Sequence, residues 1–173
     1  MNIKTKITVA ACIPLLLTAF YGIFCKDANL FINPLVTMVC IGALVFSDKK
    51  TGIFSSWTYM GTLLLILFSV YIGRGLGAYK KVPYWDKALH FYSGFVLAAI
   101  SRKIYIKLKG SEENKALMNC FAFFTAVSGA ALWEIYEFTS DMLIGTTAQN
   151  NSLTDTMLDI IAGTVSALLA VLF

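Results

Sequence analysis

Three pairs of ionisable residues interrupt otherwise apolar sequence in the second half of the chain. The pairs are Asp86 and His90, Glu134 and Glu137, and Asp155 and Asp159. Residues three or four positions apart lie on one face of a helix, so each pair offers two side chains to the same neighbour. Carboxylate and imidazole groups on facing helices are the usual ligands of metal sites in helical bundles. The six side chains are therefore candidate ligands for one or two divalent cations.

The same side chains also have simpler explanations. Asp86 and Asp155 stand at predicted helix starts, where a carboxylate caps a helix by accepting backbone N–H groups. His90 by itself is typical of a hydrogen-bonded interior histidine. Glu134 and Glu137 are harder to explain in this way, because the sequence Ala-Ala-Leu-Trp-Glu-Ile-Tyr-Glu-Phe places both acids in an apolar helix. These two glutamates are the most specific signal in the chain.

The composition restricts where this chemistry takes place. The chain has 173 residues, of which 58% are hydrophobic and 14% are charged, whereas an average soluble domain is about 45–50% apolar and about 25% charged. A membrane-spanning helix needs about 20 apolar residues, so spans use up almost the whole chain. We expect a single integral membrane domain over residues 1–173, with membrane lipid as its partner and no nucleic acid.

Six apolar runs predict an all-α, polytopic bundle of about six transmembrane helices. The runs cover residues 7–25, 30–46, 53–73, 84–104, 116–140 and 153–173, with approximate bounds. Asn33-Pro34 is interpreted as the entrance of the second helix, where the missing N–H of proline is tolerated. The first run is interpreted as an uncleaved span. Basic residues are more frequent in the connections that follow the even-numbered spans, which favours cytoplasmic termini in a bacterial plasma membrane.

This topology brings the three pairs to one depth. The fourth helix runs inward, the fifth outward and the sixth inward, so all six side chains lie in the outer leaflet, with His90 about 9 Å below the surface at ~1.5 Å per residue. Asp141 follows them as a solvated residue at the helix end. Five carboxylates in this layer repel one another, and each costs several kcal/mol to bury ionised without a partner.

Several groups are able to compensate this negative charge. Protonation, His90 or Lys87 would compensate part of it, and a divalent cation compensates the most charge with the fewest groups. Oxygen ligands with one imidazole suit Mg²⁺, Mn²⁺ or Ca²⁺ and leave Zn²⁺ or iron open. The metal site is the leading hypothesis.

Basic residues cluster beside the acidic layer, between the third and fourth runs and at the start of the fourth. They are Arg74, Lys80, Lys81 and Lys87. Two interpretations stay open: these side chains anchor the protein to lipid phosphates by extending to the membrane surface, or they bind the phosphate of a substrate. The second interpretation suits a phosphate-bearing lipid headgroup.

The leading functional hypothesis is a metal-dependent hydrolase or transferase that acts on a lipid or lipid-linked phosphate headgroup. Glu134 or Glu137, whichever does not bind metal, would be the catalytic general base for a metal-bound water. A proton- or cation-coupled transporter that uses the same acids is an alternative, and so is a non-catalytic accessory membrane subunit. The transporter is disfavoured because residues 165–173 contain no ionisable side chain to line a path to the cytoplasm.

Three motifs carry a resemblance to known families. Asp-Lys-Ala-Leu-His-Phe at 86–91, Leu-Trp-Glu-Ile-Tyr-Glu-Phe at 132–138, and Asp-Thr-Met-Leu-Asp at 155–159 followed by Gly163 together resemble the YjdF-like family of predicted bacterial inner-membrane proteins. A looser resemblance extends to VanZ-like membrane proteins, which share the Asp-Lys-x-x-His-Phe element but have a Glu and an amide where this chain has Glu-x-x-Glu. The resemblance implies a compact helical membrane protein whose polar motifs mark a common site, and it implies no activity.

Overall fold

The computed structural model describes residues 1–149 and 152–173, and the described chain is helical without strands. The helices are α1 (Ile3–Cys25), α2 (Ala28–Thr51), α3 (Ser56–Gly75), the single turn α4 (Ala78–Lys81), α5 (Trp85–Lys109), α6 (Lys115–Ile144) and α7 (Leu153–Leu172). Helix α3 is α-helical over Ser56–Ile66 and π-helical over Leu67–Gly75. The prediction of an all-α fold is confirmed.

Five helices of the described chain are long and apolar enough to cross a membrane, namely α1, α2, α3, α6 and α7. This confirms a polytopic helical bundle. The sixth predicted span corresponds to α5, whose 25 residues would extend about 37 Å at ~1.5 Å per residue. Its length is therefore sufficient, but Asp86, Lys87 and His90 at one end and several basic residues at the other make it more polar than the other five.

Polar side chains determine where the helices begin. The Asp27 carboxylate accepts the backbone N–H groups of Asn29 and Leu30 and caps α2. The prediction that α2 begins at Asn33-Pro34 is therefore wrong: Pro34 lies inside the helix and is buried. At the start of α7, the Ser152 hydroxyl accepts the N–H of Asp155. The residue that caps α7 is thus Ser152, and the Asp155 carboxylate is directed elsewhere.

The chain divides into two compact units, residues 1–85 and residues 86–173. In the first unit, Leu15, Ile41 and Leu63 belong to a buried core formed by α1, α2 and α3. Lys4 near the start of α1 pairs with Asp48 near the end of α2 at 2.8 Å, so these two helices run antiparallel. The prediction of one membrane domain over residues 1–173 stays a prediction.

The second unit consists of α5, α6 and α7 packed through small residues. Ala98, Ala126 and Ala167, one from each helix, are fully buried together. Helices α5 and α7 also approach each other closely at Gly94, where a Cβ would overlap the Ser166 hydroxyl and the Gly163 carbonyl. Small side chains allow this close approach because dispersion contacts, rather than a hydrophobic gain, drive helix association within a membrane.

One polar bridge establishes the relative direction of the three helices in the second unit. Arg102 near the end of α5 donates to the Asn119 amide oxygen at 3.0 and 3.1 Å. Asn119 near the start of α6 donates in turn to the Val171 carbonyl at the end of α7. Helices α5 and α7 therefore run in one direction and α6 in the other. As a consequence, the starts of α5 and α7 lie beside the second half of α6, where the acidic pairs occur.

Candidate functional site

His90 is the residue where side chains from α5 and α6 meet. It lies one turn after Asp86 on α5 and is only 6% exposed. Its Nε2 atom is 3.7 Å from Asp86 Oδ1 and 3.3 Å from Glu134 Oε1. One carboxylate from each of two predicted pairs thus approaches the same imidazole nitrogen.

Helix α7 supplies the third side to this cluster. Asp86, His90 and Asp159 each offer a ligand atom, and these atoms lie within 4.8 Å of one another. An octahedral ion with ligand bonds of about 2.1 Å places adjacent ligand atoms about 3 Å apart and opposite ones about 4.2 Å apart. Small side-chain movements would therefore bring these three groups, together with Glu134, around a single cation.

Two carboxylate oxygens in the cluster are buried without a hydrogen-bond donor. Glu134 and Asp159 are 3% and 2% exposed, and Glu134 Oε1 and Asp159 Oδ1 accept no hydrogen bond from any described residue. Glu134 Oε1 is near His90 Nε2, but the geometry is not that of a hydrogen bond. A buried polar atom without a partner costs free energy. The donor set of two or three carboxylates and one imidazole fits a divalent cation, which would satisfy both orphaned oxygens.

Lys87 compensates part of the negative charge from within the cluster. Its ammonium group forms ion pairs with Asp155 and Asp159, the latter at 3.2 Å to Oδ2. The sequence places Lys87 among the phosphate-binding residues, and the structure instead directs it to two of the predicted metal ligands. The physical reason is that a buried carboxylate such as Asp159 needs a nearby cation.

The other predicted phosphate-binding residues belong to the first unit. Arg74, Lys80 and Lys81 are all exposed. Lys81 donates to the Leu76 carbonyl at 2.9 Å, across the turn that precedes α4. Their predicted role in phosphate binding stays a prediction.

Glu137 occupies a different environment from Glu134. It is 6% exposed, and its Oε1 accepts a hydrogen bond from the indole N–H of Trp133 at 2.9 Å. Among the described residues, the tight group of Asp86, His90 and Asp159 includes neither glutamate, but Glu134 Oε1 lies 3.3 Å from His90 Nε2. The two glutamates that the sequence treats as equivalent are thus distinguished by their partners.

Sequence reasoning missed the roles of Asp141, in the last turn of α6, and of Gln149, in the connection that follows. The Asp141 carboxylate accepts hydrogen bonds from Thr146 and from the backbone N–H groups of Ala148 and Gln149. The Gln149 side chain donates to the Glu134 carbonyl at 3.2 Å and lies 3.5 Å from Glu134 Oε2. Asp141 is therefore a partly exposed residue at the end of α6 that also organises this loop. The available signal was the tendency of Asp to bond nearby backbone N–H groups.

Comparison with known proteins places this arrangement in a family. The sequence profile of the family described as "Predicted membrane protein (DUF2238)" matches residues 6–173. The chain belongs to the DUF2238 family. A relative from Thermotoga maritima, described as an uncharacterized protein, is 36% identical over 104 residues. No solved structure matches the chain.

The match to the relative is partial on both sides. It covers 58% of this chain and 54% of the Thermotoga maritima protein, so this DUF2238 member spans about half the length of the curated relative it matches. The family description and the five apolar helices agree that the protein resides in a membrane.

Proposed function

We propose that this DUF2238 protein binds one divalent metal ion between α5, α6 and α7. The observation that carries the proposal is the convergence of Asp86, His90 and Asp159 beside two buried carboxylate oxygens that lack a donor. Lys87 offsets at most one of the negative charges in the cluster. Because each unpaired charge at membrane depth is costly, a cation of charge two is the simplest group that balances the remainder. Mg²⁺, Mn²⁺ and Ca²⁺ suit the oxygen ligands, and Zn²⁺ suits the imidazole.

The proposed reaction is hydrolysis or transfer at a lipid or lipid-linked phosphate headgroup. When bound, a divalent cation supplies Lewis-acid polarisation of a phosphoryl oxygen. Glu134 is the better ligand of the two glutamates, since its Oε1 is 3.3 Å from His90 Nε2. Glu137 is then the better general base, because its Oε1 accepts the Trp133 indole N–H, whereas Glu134 lies beside His90. Arg74, Lys80 and Lys81 are the proposed phosphate-binding residues.

The proposed location follows the sequence topology. Six spans with cytoplasmic termini would place the metal site in the outer leaflet of a bacterial plasma membrane. The YjdF-like and VanZ-like resemblances support a bacterial origin. The motifs that carry those resemblances are the segments of α5, α6 and α7 that form the cluster.

Metal binding is tested on purified protein in detergent. Equilibrium dialysis against Mn²⁺ is expected to give one ion per chain for the wild type. Asp159→Asn and Glu134→Gln should each weaken binding by about tenfold or more, since even outer partners of metal ligands contribute that much. Asp48→Asn is the matched control, because Asp48 is also an ion-paired acid but belongs to the first unit. No bound Mn²⁺, or an equal effect of the control, refutes the metal site.

The reaction requires a second assay. The wild type with Mn²⁺ is incubated with mixed phospholipid vesicles, and the lipids are analysed by mass spectrometry. Loss or exchange of a headgroup that Glu137→Gln abolishes, with Mn²⁺ binding retained, supports the catalytic proposal. An unchanged lipid composition refutes it. Proton or cation flux in proteoliposomes that Glu134→Gln abolishes would instead favour the transporter alternative.

A further inference from the structure

A cleft of about 570 Å³ opens between α6 and α7. Apolar side chains, including Ile135, Phe138 and Leu153, form much of its wall, and these three are more than half exposed. Its volume is in the range that binds small molecules, about 300–1,000 Å³. Because both helices are long and apolar enough to span a membrane, the molecule with access to such a wall is a lipid.

Both ionisable side chains that line the cleft are acidic. Glu134 and Asp141 line it, and no Lys or Arg is among its described lining residues. The donors that Asp141 binds are a hydroxyl and two backbone N–H groups, which carry no net charge and leave its negative charge in place. Charge complementarity therefore favours a cationic headgroup and disfavours an anionic one.

The hydrogen-bonding capacity of Glu134 further restricts which cationic headgroups fit the cleft. Its Oε1 faces His90, and its Oε2 faces Gln149 at 3.5 Å. The second distance is long for an N–H···O hydrogen bond, which is usually 2.7–3.2 Å. The Thr156 hydroxyl also faces the Glu134 carboxylate, but a carboxylate oxygen accepts more than one hydrogen bond, so Oε2 is able to accept a further donor. A primary ammonium has three N–H donors, whereas a quaternary ammonium has none.

We propose that the cleft between α6 and α7 binds a phospholipid whose headgroup carries a primary ammonium. The ammonium lies between Glu134 and Asp141, and an acyl chain lies along the apolar wall. The proposal rests on the proposed function in that Glu134 forms the wall shared by the cleft and the metal site. It names an aminophospholipid as the lipid class that the metal site receives.

Native mass spectrometry of the full chain in detergent tests the proposal. The protein is supplied with equal amounts of phosphatidylethanolamine, phosphatidylcholine and phosphatidylglycerol of identical acyl chains. Phosphatidylethanolamine is expected to be bound about tenfold more than phosphatidylcholine, as for one charge-assisted hydrogen bond. Ala131→Phe fills the cleft and should abolish the preference. Ala116→Phe, the same substitution at an exposed position of α6, should preserve it.

Equal binding of the two zwitterionic lipids, or an unchanged preference in Ala131→Phe, overturns the proposal. Asp141→Asn provides a second variant if the larger side chain prevents folding, and it should reduce the preference several-fold. Mn²⁺ binding is measured on the same samples. A phosphatidylethanolamine preference without Mn²⁺ binding would support the cleft and refute the metal site, and the reverse result would refute the cleft alone.

Discussion

Replacement of Lys87 by Met removes the cation that two acids of α7 share. Lys87 and Asp155 are 23% and 18% exposed, and Asp159 is 3% exposed. Removing one partner of a buried ion pair costs about 3–5 kcal/mol. Since part of the Lys87 side chain reaches solvent, we expect the lower figure or somewhat less, about 2–3 kcal/mol. For a chain of this size, that corresponds to a decrease in Tm of about 5–10 °C.

The assay is thermal unfolding of the detergent-purified protein, followed by tryptophan fluorescence with EDTA and with Mn²⁺. In EDTA, the Tm of Lys87→Met should be about 5–10 °C below that of the wild type, as expected for a destabilisation of about 2–3 kcal/mol. Saturating Mn²⁺ should raise the Tm of Lys87→Met more than it raises that of the wild type, because the carboxylates that have lost Lys87 bind the ion more tightly and binding to the folded state stabilises it.

Two controls separate this mechanism from a general loss of packing. Lys4→Met removes a cation of nearly equal exposure, 22%, from a pair with Asp48 in the first unit, and Mn²⁺ should not rescue it. The double variant Lys87→Met with Asp159→Asn should be more stable than the sum of the single effects by about 1 kcal/mol or more. Additive effects, or a Lys87→Met protein as stable as the wild type in EDTA, would refute the charge balance described for the cluster.

Three further outcomes are expected. Gly94→Ala should lower Tm, at a cost of about 1–3 kcal/mol for overpacking, whereas Gly42→Ala, where a Cβ meets no atom within 4 Å, should not lower it. Asp141→Ala removes the carboxylate that accepts the backbone N–H groups of Ala148 and Gln149, so the connection after α6 should loosen. Because the Gln149 side chain donates to the Glu134 carbonyl, Mn²⁺ binding in dialysis should weaken. In a cysteine-free background, an impermeant thiol reagent on intact cells should label Lys80→Cys and spare Glu112→Cys; the opposite pattern would invert the predicted topology.

Much of the candidate site could be predicted from the spacing of ionisable residues along the sequence. The i,i+3 and i,i+4 pairs are local features of a helix, so which acids share a face is readable from residue numbers alone. The prediction that these pairs converge agrees with the cluster at His90 for Asp86, Glu134 and Asp159. Whether a metal binds there stays a prediction.

Other features of the site were not readable from spacing. Lys87 follows Asp86 directly, and its assignment to Asp155 and Asp159 rather than to a phosphate depends on how α5 and α7 pack. The contact of Glu134 with His90 depends likewise on how α5 and α6 pack, whereas the Trp133–Glu137 hydrogen bond is local to α6. A local pattern was also misleading at Pro34, since Asp27 caps α2 seven residues before the proline that the sequence suggested as the helix entrance.

Composition, hydropathy and helical periodicity by themselves determined an all-α membrane protein and the identity of its costly charged residues. These properties are sums over local segments, and a membrane imposes them on every span. Only the tertiary structure decided which charges become partners and which carboxylate oxygens remain without a donor. Those outcomes depend on contacts of a few ångströms between helices, which the close approach of Gly94, Gly163 and the buried alanines permits.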